Sequence, residues 1–137
     1  MSCCIEAAIL DALRAIPGTP IRSENHFIEV RECADCVPYL VIKTSENAGL
    51  RTSDGVQVIW TVLISAYFDG SKRNMSRNYR DLVRTWLYQY PCVDLGECGC
   101  FCLNGQSSLT IRNAEKETAL DISFSGSYQQ ASVSVSD

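Results

Sequence analysis

The strongest structural pattern in the chain lies between Val56 and Pro91, in the stretch VQVIWTVLISAYFDGSKRNMSRNYRDLVRTWLYQYP. Its first part, through Phe68, is rich in β-branched and aromatic side chains, and both of its alternating rows are apolar. This predicts a long strand that is covered on both faces for part of its length. The second part carries apolar residues at helical spacing, namely Met75, Tyr79, Leu82, Val83, Trp86, Leu87 and Tyr90. The spacing predicts an amphipathic helix that Pro91 ends.

The segments on either side complete an α+β pattern. Residues 3–16 place apolar side chains on one face of a first helix, which Pro17 and Gly18 end. The remaining predicted strands are His26 to Glu32, Tyr39 to Thr44, Cys98 to Arg112 and Leu120 to Tyr128. The polar residues from Thr44 to Gly55 predict a long exposed loop. The order α-β-β-β-α-β-β is typical of a mostly antiparallel sheet with two helices packed on one face.

The composition fits one folded domain. The chain has 137 residues, of which 46% are hydrophobic and 20% charged, so it can bury one sizeable core. We expect a single domain over residues 1–128 and a flexible C-terminal tail over residues 129–137. The first residues lack the basic region of a secretory signal, and no apolar run approaches the roughly 20 residues of a membrane-spanning helix. Secretion and membrane insertion are therefore not predicted.

No motif in the chain predicts catalysis. The chain has no phosphate-binding glycine loop, no H-E-x-x-H motif, no calcium loop and no glycine-framed nucleophile. His26 is the single histidine, and at the start of a strand it is typical of a polar surface residue, although a dyad with a cysteine is arithmetically possible. We therefore predict a protein that is not an enzyme and that uses no cofactor.

The eight cysteines are a high number for this length. Without a secretory signal, we expect most of them to be reduced, buried thiols. A metal site, if there is one, is expected at Cys33, Cys36, Cys98 and Cys100, because two cysteine pairs brought together by folding supply the four ligands of zinc. The second pair has C-x-C spacing, which alternate residues of any buried strand share, so zinc binding and a redox role stay as alternatives.

A row of arginines accompanies the second predicted helix. Arg73, Arg77, Arg80 and Arg84 have helical spacing and are expected opposite the apolar residues. Five basic residues and Asp81 give residues 72–90 a charge of +4, so the rest of the chain carries −8 within a total of −4. The row is a solvated face, a nucleic-acid contact or a basic surface that meets an acidic surface of the next copy; the pI of 5.0 weakens the second interpretation. Head-to-tail contacts of the third kind close into rings.

The order of elements resembles that of the tail terminators of tailed bacteriophages and of related neck and tail-completion proteins. The resemblance covers residues 3–128 and rests on the helix Ile5 to Ile16, the strands Pro38 to Lys43 and Val56 to Phe68, the helix Tyr79 to Tyr90 and the strand Leu120 to Tyr128. It implies a structural virion protein, assembled in the host cytoplasm, that forms a ring, hexameric by resemblance. Such a ring caps the tail tube and joins it to the neck on the head side. Neck stoppers and connectors of similar build fit the same pattern.

The resemblance also implies where contacts are made. Copies of the chain are expected to meet through the row of arginines, and the ring is expected to contact the tail tube protein and a neck or connector protein. For contacts between rings we expect Glu46, Asn47, Leu50, Arg51 and Asp54 of the predicted loop. DNA is expected to pass through the ring without specific binding. Two other hypotheses stay open, a metal-binding or redox module built on the cysteines and a monomeric adaptor that binds one protein partner.

Overall fold

The fold was described from a computed structural model over residues 5–28, 37–52, 55–89, 91–96, 99–114 and 116–131. The elements of this part of the chain are α1 (Ile5–Arg14), β1 (His26–Ile28), β2 (Tyr39–Thr52), β3 (Gly55–Asp69), α2 (Arg73–Tyr88), β4 (Cys92–Asp94), β5 (Cys100–Asn113) and β6 (Glu117–Ala131). The predicted α+β class and the predicted order of elements are confirmed. The short strand β4 is an addition to the prediction.

The described strands form one six-stranded sheet in the order β1-β2-β3-β6-β5-β4. All neighbouring pairs are antiparallel except β1 and β2, which are parallel. The long strands β3 and β6 are paired over their whole length, from Gly55 opposite Ala131 to Asp69 opposite Glu117. This central pair supports the other strands, and most of the sheet is built from the antiparallel pairs β2–β3 and β5–β6, whose strands are consecutive in the chain.

The end of α1 and the start of α2 follow from the local sequence. After α1, Pro17 cannot continue the helix and Gly18 adopts a positive φ of 82°, which glycine tolerates without steric cost. Before α2, the carboxylate of Asp69 accepts hydrogen bonds from the backbone N–H and the hydroxyl of Ser71, at 3.0 and 2.9 Å. This local turn reverses the chain from β3 into α2.

The predicted loop from Thr44 to Gly55 is wrong, because residues 44–52 continue β2. The polar side chains of this segment lie on a strand whose neighbours include Thr61 and Trp60, with a bulge between Glu46 and Ala48 that takes up Asn47. Gly49 is needed for a close approach of strands, since a Cβ atom there would lie 2.9 Å from Cγ1 of Val56. Polar composition and a glycine therefore mark a solvated hairpin here.

The predicted boundaries of the last strand and of the tail also need correction. β6 continues to Ala131, so residues 129–131, expected in the flexible tail, are paired with β3. Residues 132–137 lie outside the described part of the chain. At the other end, the strand predicted for His26 to Glu32 is described only as far as Ile28, because residues 29–36 are outside as well.

The core lies between one face of the sheet and the two helices. α1 contributes Ile5, Ile9, Leu10 and Leu13, α2 contributes Tyr79, Val83 and Leu87, and the strands contribute residues such as Leu40, Ile64, Phe101, Leu120 and Phe124. Gly126 on β6 makes room for the ring of Phe101, because a Cβ atom at this position would lie 2.5 Å from its Cζ atom. α1 packs against β1, β2 and β4, which lie near both edges of the sheet, so the sheet curls around the helices.

Neither of the two described helices lies on the second face of the sheet. Tyr67 stacks on Tyr39 with ring centroids 4.8 Å apart, so β3 is covered there on both faces as predicted. Further along the same row Leu63 is 48% exposed, and the coverage does not continue. Around Leu63 the face is lined mainly by hydroxyl side chains such as Ser65, Ser123 and Thr61.

Candidate protein interface

The arginine row lies on a flank of α2. Tyr79, Val83 and Leu87 are buried along the inner side of the helix, and Ser76 joins them because its hydroxyl donates to the carbonyl oxygen of Arg73 at 2.7 Å. With about 100° of rotation per residue, Arg80 lies only about 20° from Leu87. The row therefore runs beside the buried face, whereas the sequence predicted that it lies opposite.

The four arginines differ in their exposure to solvent and in their ion pairs. Arg73, Arg77 and Arg84 are exposed. Arg80 is half-buried, and its Nε atom is shielded from solvent and lies 3.6 Å from a carboxylate oxygen of Asp81. Asp81 also accepts a hydrogen bond from Arg84 at 3.3 Å. Within the described residues Arg73 and Arg77 form no ion pair, so they carry the least compensated positive charge of the row.

Tyr88 extends the same flank and was missed by the sequence prediction. It follows Arg84 by four residues, one turn further along α2, and its side chain is 79% exposed. Tyrosine and arginine are enriched among the residues that contribute most to protein–protein binding. The signal was present in the sequence, because Tyr88 continues the spacing of the arginines and does not fit the apolar row.

A groove lies on the other flank of α2. It has a volume of 530 Å³ and runs between the end of α1 and α2. Its lining is Ala12, Ala15, Ile16 and Pro17 from the first helix and its end, and Leu82, Thr85, Trp86 and Gln89 from α2. The side chains of Ala12 and Ala15 are small, so space is left between the two helices. The ring of Trp86 packs edge-on against that of Phe124, with ring centroids 6.3 Å apart. Most of the lining side chains are apolar, and Thr85 and Gln89 are the polar ones.

The residues expected to contact neighbouring rings lie on the β2–β3 hairpin. Glu46 and Asn47 are exposed, and the Asn47 amide donates a hydrogen bond to the hydroxyl of Thr61. Leu50 and Arg51 follow on the same strand, and Asp54 lies outside the described residues. The hairpin presents the first four of these positions on a paired strand instead of a loop, far along β2 from its pairing with β1.

The described cysteines contradict the expectation of buried, reduced thiols. Cys92 and Cys102 form a disulfide, because the register of β4 and β5 places them directly opposite each other. Cys100 is a free thiol at an exposed position. Cys33, Cys36 and Cys98 of the possible zinc site lie outside the described residues, and within the described ones no group of three metal-ligating side chains occurs.

His26 is buried, which corrects the prediction of a surface residue. Its side chain is 5% exposed, and its Nδ1 atom lies 2.9 Å from the carbonyl oxygen of Arg22, to which it donates. The Nε2 atom is buried without a hydrogen-bond partner in the described structure. Burial lowers the pKa of His26, and the charge of Arg14 lowers it further, while the hydrogen bond to Arg22 opposes them. This environment is that of a neutral, structural histidine.

Two further pKa shifts, those of Tyr79 and Asp121, are explained by burial and by hydrogen bonding, respectively. Burial raises the pKa of the Tyr79 hydroxyl, which has no hydrogen-bond partner in the described core. A hydrogen bond from Arg112 lowers the pKa of Asp121, and Ser65 donates to the same carboxylate at 3.1 Å. Neither site joins a second reactive group in a cleft, so neither has the arrangement of a general acid or base.

No helix in the described residues combines the length and the apolar character needed to cross a membrane. Comparison with family models and with curated proteins found no match. The fold is similar to that of a chain in a solved structure described as the virion of a native gene transfer agent particle. The two share 14% sequence identity with a TM-score of 0.64, over 91% of this chain and 94% of the other. At this identity the likeness establishes the fold, and it covers nearly the whole of both chains.

Proposed function

We propose that the protein is a structural subunit of a phage-like particle, and that it forms a ring that caps the tail tube and joins it to the neck. The observation that carries the proposal is the nearly full-length fold likeness to a chain of a gene transfer agent virion. Because this likeness covers both chains almost completely, it concerns the whole domain and not a common submotif. The protein acts by surface complementarity, without catalysis.

The distribution of charge supports a ring built from identical copies. Over α2, four arginines and Asp81 give +3, while the whole chain carries −4, so the remainder carries −7. A chain with a basic flank and an acidic remainder attracts a second copy in a head-to-tail orientation, and such contacts close into rings. We assign Arg73, Arg77 and Arg84 to the contact between subunits. Arg80 is half-buried and lies 3.6 Å from Asp81, so we leave it out of this contact.

The β2–β3 hairpin is suited to contacts between rings. β3 also pairs with β6, so the hairpin belongs to a unit of three strands. Its polar residues Glu46 and Asn47 are exposed. A paired strand holds these side chains in a fixed geometry, which lowers the entropy that is lost when a neighbouring ring binds. The neighbours are the tail tube protein on one side and a neck or connector protein on the other. The net negative charge of the subunit suits a ring through which DNA passes without adhering.

Tube assembly tests this function directly. Tail tube protein from the same particle is polymerised with and without the purified chain, and tube lengths and tube ends are recorded by negative-stain electron microscopy. We expect shorter tubes with ring-shaped density at one end when the chain is present. Tubes of unchanged length with bare ends would contradict the capping role.

A control separates capping from nonspecific inhibition. The same polymerisation is repeated with the chain carrying Glu46→Lys and Asn47→Lys, which changes the hairpin and leaves α2 untouched. We expect this variant to form rings in solution but to cap poorly. Equal capping by the variant and the parent would remove the hairpin from the contact between rings.

A further inference from the structure

We infer that Tyr88 of one copy inserts into the groove between α1 and α2 of a second copy. The two flanks of α2 then form the two halves of one head-to-tail contact. This inference rests on the proposed ring and names the partner surface within it. It uses two features that the arginine row does not explain, an exposed aromatic side chain and an open apolar groove.

Tyr88 is exposed to an extent that is unusual for an aromatic residue. At 79% it is the most exposed large hydrophobic side chain of the described structure; Leu63, at 48%, is next. A tyrosine ring buries a large apolar area when it is covered, and its hydroxyl needs a polar partner at the end of the pocket. The side chain thus requires a site with apolar walls and a polar rim.

The groove offers such a site. Its lining combines the apolar side chains of Ala12, Ala15, Leu82 and Trp86 with the hydrogen-bonding side chains of Thr85 and Gln89. Trp86 is held in place by its edge-on contact with Phe124, so the wall is preformed. A preformed pocket loses little conformational entropy on binding.

The geometry of α2 requires that the tyrosine comes from another molecule. At about 100° per residue, Tyr88 lies roughly 160° from Trp86 around the helix axis, and it is not among the residues that line the groove of its own chain. A knob and a groove on opposite flanks of one helix form a contact that repeats in the same sense from copy to copy.

Charge favours the same orientation. Asp11 is four residues before Ala15 on the exposed side of α1, so its carboxylate lies beside the groove. Its side chain is 75% exposed and pairs with Arg14 at 2.9 Å. When Tyr88 of a second copy enters the groove, the arginines on the same flank of that copy approach Asp11. Because Arg14 of the first copy already pairs with this exposed carboxylate, charge adds only a weak preference for the head-to-tail orientation.

Photo-crosslinking tests the contact. Tyr88→p-benzoylphenylalanine places a photoreactive aromatic ring at the proposed knob, and an equal mixture of isotopically heavy and light protein distinguishes contacts between copies. After irradiation at concentrations from micromolar to millimolar, we expect crosslinks between copies that map to residues 11–17 or 82–89. The matched control, Lys116→p-benzoylphenylalanine at an exposed turn, should give none in these segments. Oligomers without Tyr88 crosslinks to the groove would overturn the inference and leave the ring intact.

Two further variants measure the strength of the contact between Tyr88 and the groove. Ala15→Trp fills the groove from an exposed position, and Tyr88→Ala removes the knob; each should weaken the contact between copies roughly thirtyfold by analytical ultracentrifugation, as expected for a central anchor. Circular dichroism confirms that both variants are folded. Unchanged association of both variants would contradict the inference, whereas a parent protein that stays monomeric to millimolar concentration and yields no crosslinks would contradict both the inference and the proposed ring.

Discussion

At the scale of single residues, the largest differences from prediction occur where burial depends on distant parts of the chain. His26 was expected at the surface, yet it lies under Arg14 of α1, whose guanidinium donates to the carbonyl oxygens of Ser23 and His26 at 3.1 and 3.4 Å. No periodicity in the sequence indicates this contact. The exposed position of Tyr88, by contrast, could have been predicted from its spacing to the arginines.

The buried histidine makes stability depend on pH. Burial lowers the pKa of His26 below its ordinary value of 6.5, so the unfolded chain binds the proton more tightly than the folded chain. The contribution of neutral His26 to the free energy of unfolding is fully present above pH 6.5. It is lost as the pH falls through the folded-state pKa of this histidine. Chemical denaturation at about pH 7.5 and about pH 5.5 should therefore give a lower free energy of unfolding at the acidic pH.

The control for this prediction is His26→Asn. Asparagine keeps a donor near the position of Nδ1 for the carbonyl oxygen of Arg22 but does not titrate. The variant should show a smaller fall between the two pH values than the parent. An equal fall in both would assign the effect to other groups. The Asp121 carboxylate, whose pKa is lowered by Arg112, contributes a separate loss only at more acidic pH, below 3.8.

Gly126 provides a prediction about packing. A methyl group at this position would lie 2.5 Å from Cζ and 2.7 Å from Cε1 of Phe101, so Gly126→Ala should destabilise the fold by about 1–3 kcal/mol. Thermal and urea denaturation measure the loss. In a Phe101→Leu background the same glycine substitution should cost less, because the crowding atoms are removed. A cost that is independent of residue 101 would show that the ring is not the cause.

At the scale of secondary-structure elements, apolar periodicity was a reliable guide and polar composition was not. The predicted helix from Met75 to Tyr90 corresponds to α2, because its apolar row is buried against the sheet. The segment from Thr44 to Thr52 carries no alternating apolar row, since this end of the hairpin is solvated, and the sequence therefore predicted a loop. Neither β4 nor the Cys92–Cys102 pair could be predicted, because both depend on register.

α2 also gives a prediction about assembly. Arg77→Glu with Arg84→Glu reverses the charge of the exposed flank, so attraction between copies becomes repulsion and the oligomer should dissociate at low ionic strength. Circular dichroism should show a folded protein, because both side chains are exposed. Lys43→Glu with Lys116→Glu changes the net charge equally at exposed positions outside α2 and should leave the oligomer intact. Dissociation of both double variants would attribute the effect to net charge alone.

At the scale of the whole molecule, the proposed ring depends on two separable properties of the protein. The first is the domain itself, whose fold is similar to that of a chain in a gene transfer agent virion. The second is the asymmetric surface, with arginines and Tyr88 on one flank of α2 and an apolar groove on the other. The class and the order of elements could be predicted from sequence. The groove could not, because it forms between two helices that are distant in the chain.

Native mass spectrometry of the purified protein tests the central claim, that the chain assembles into a closed ring. Spectra are recorded across a range of protein concentrations and ionic strengths, which also reports any bound zinc. We expect one closed oligomer of metal-free subunits, six by resemblance, that loses subunits as salt screens the arginine contacts. A monomer at every concentration, or a monomer that carries one zinc ion, would contradict the ring and would favour an adaptor or a cysteine-based metal site.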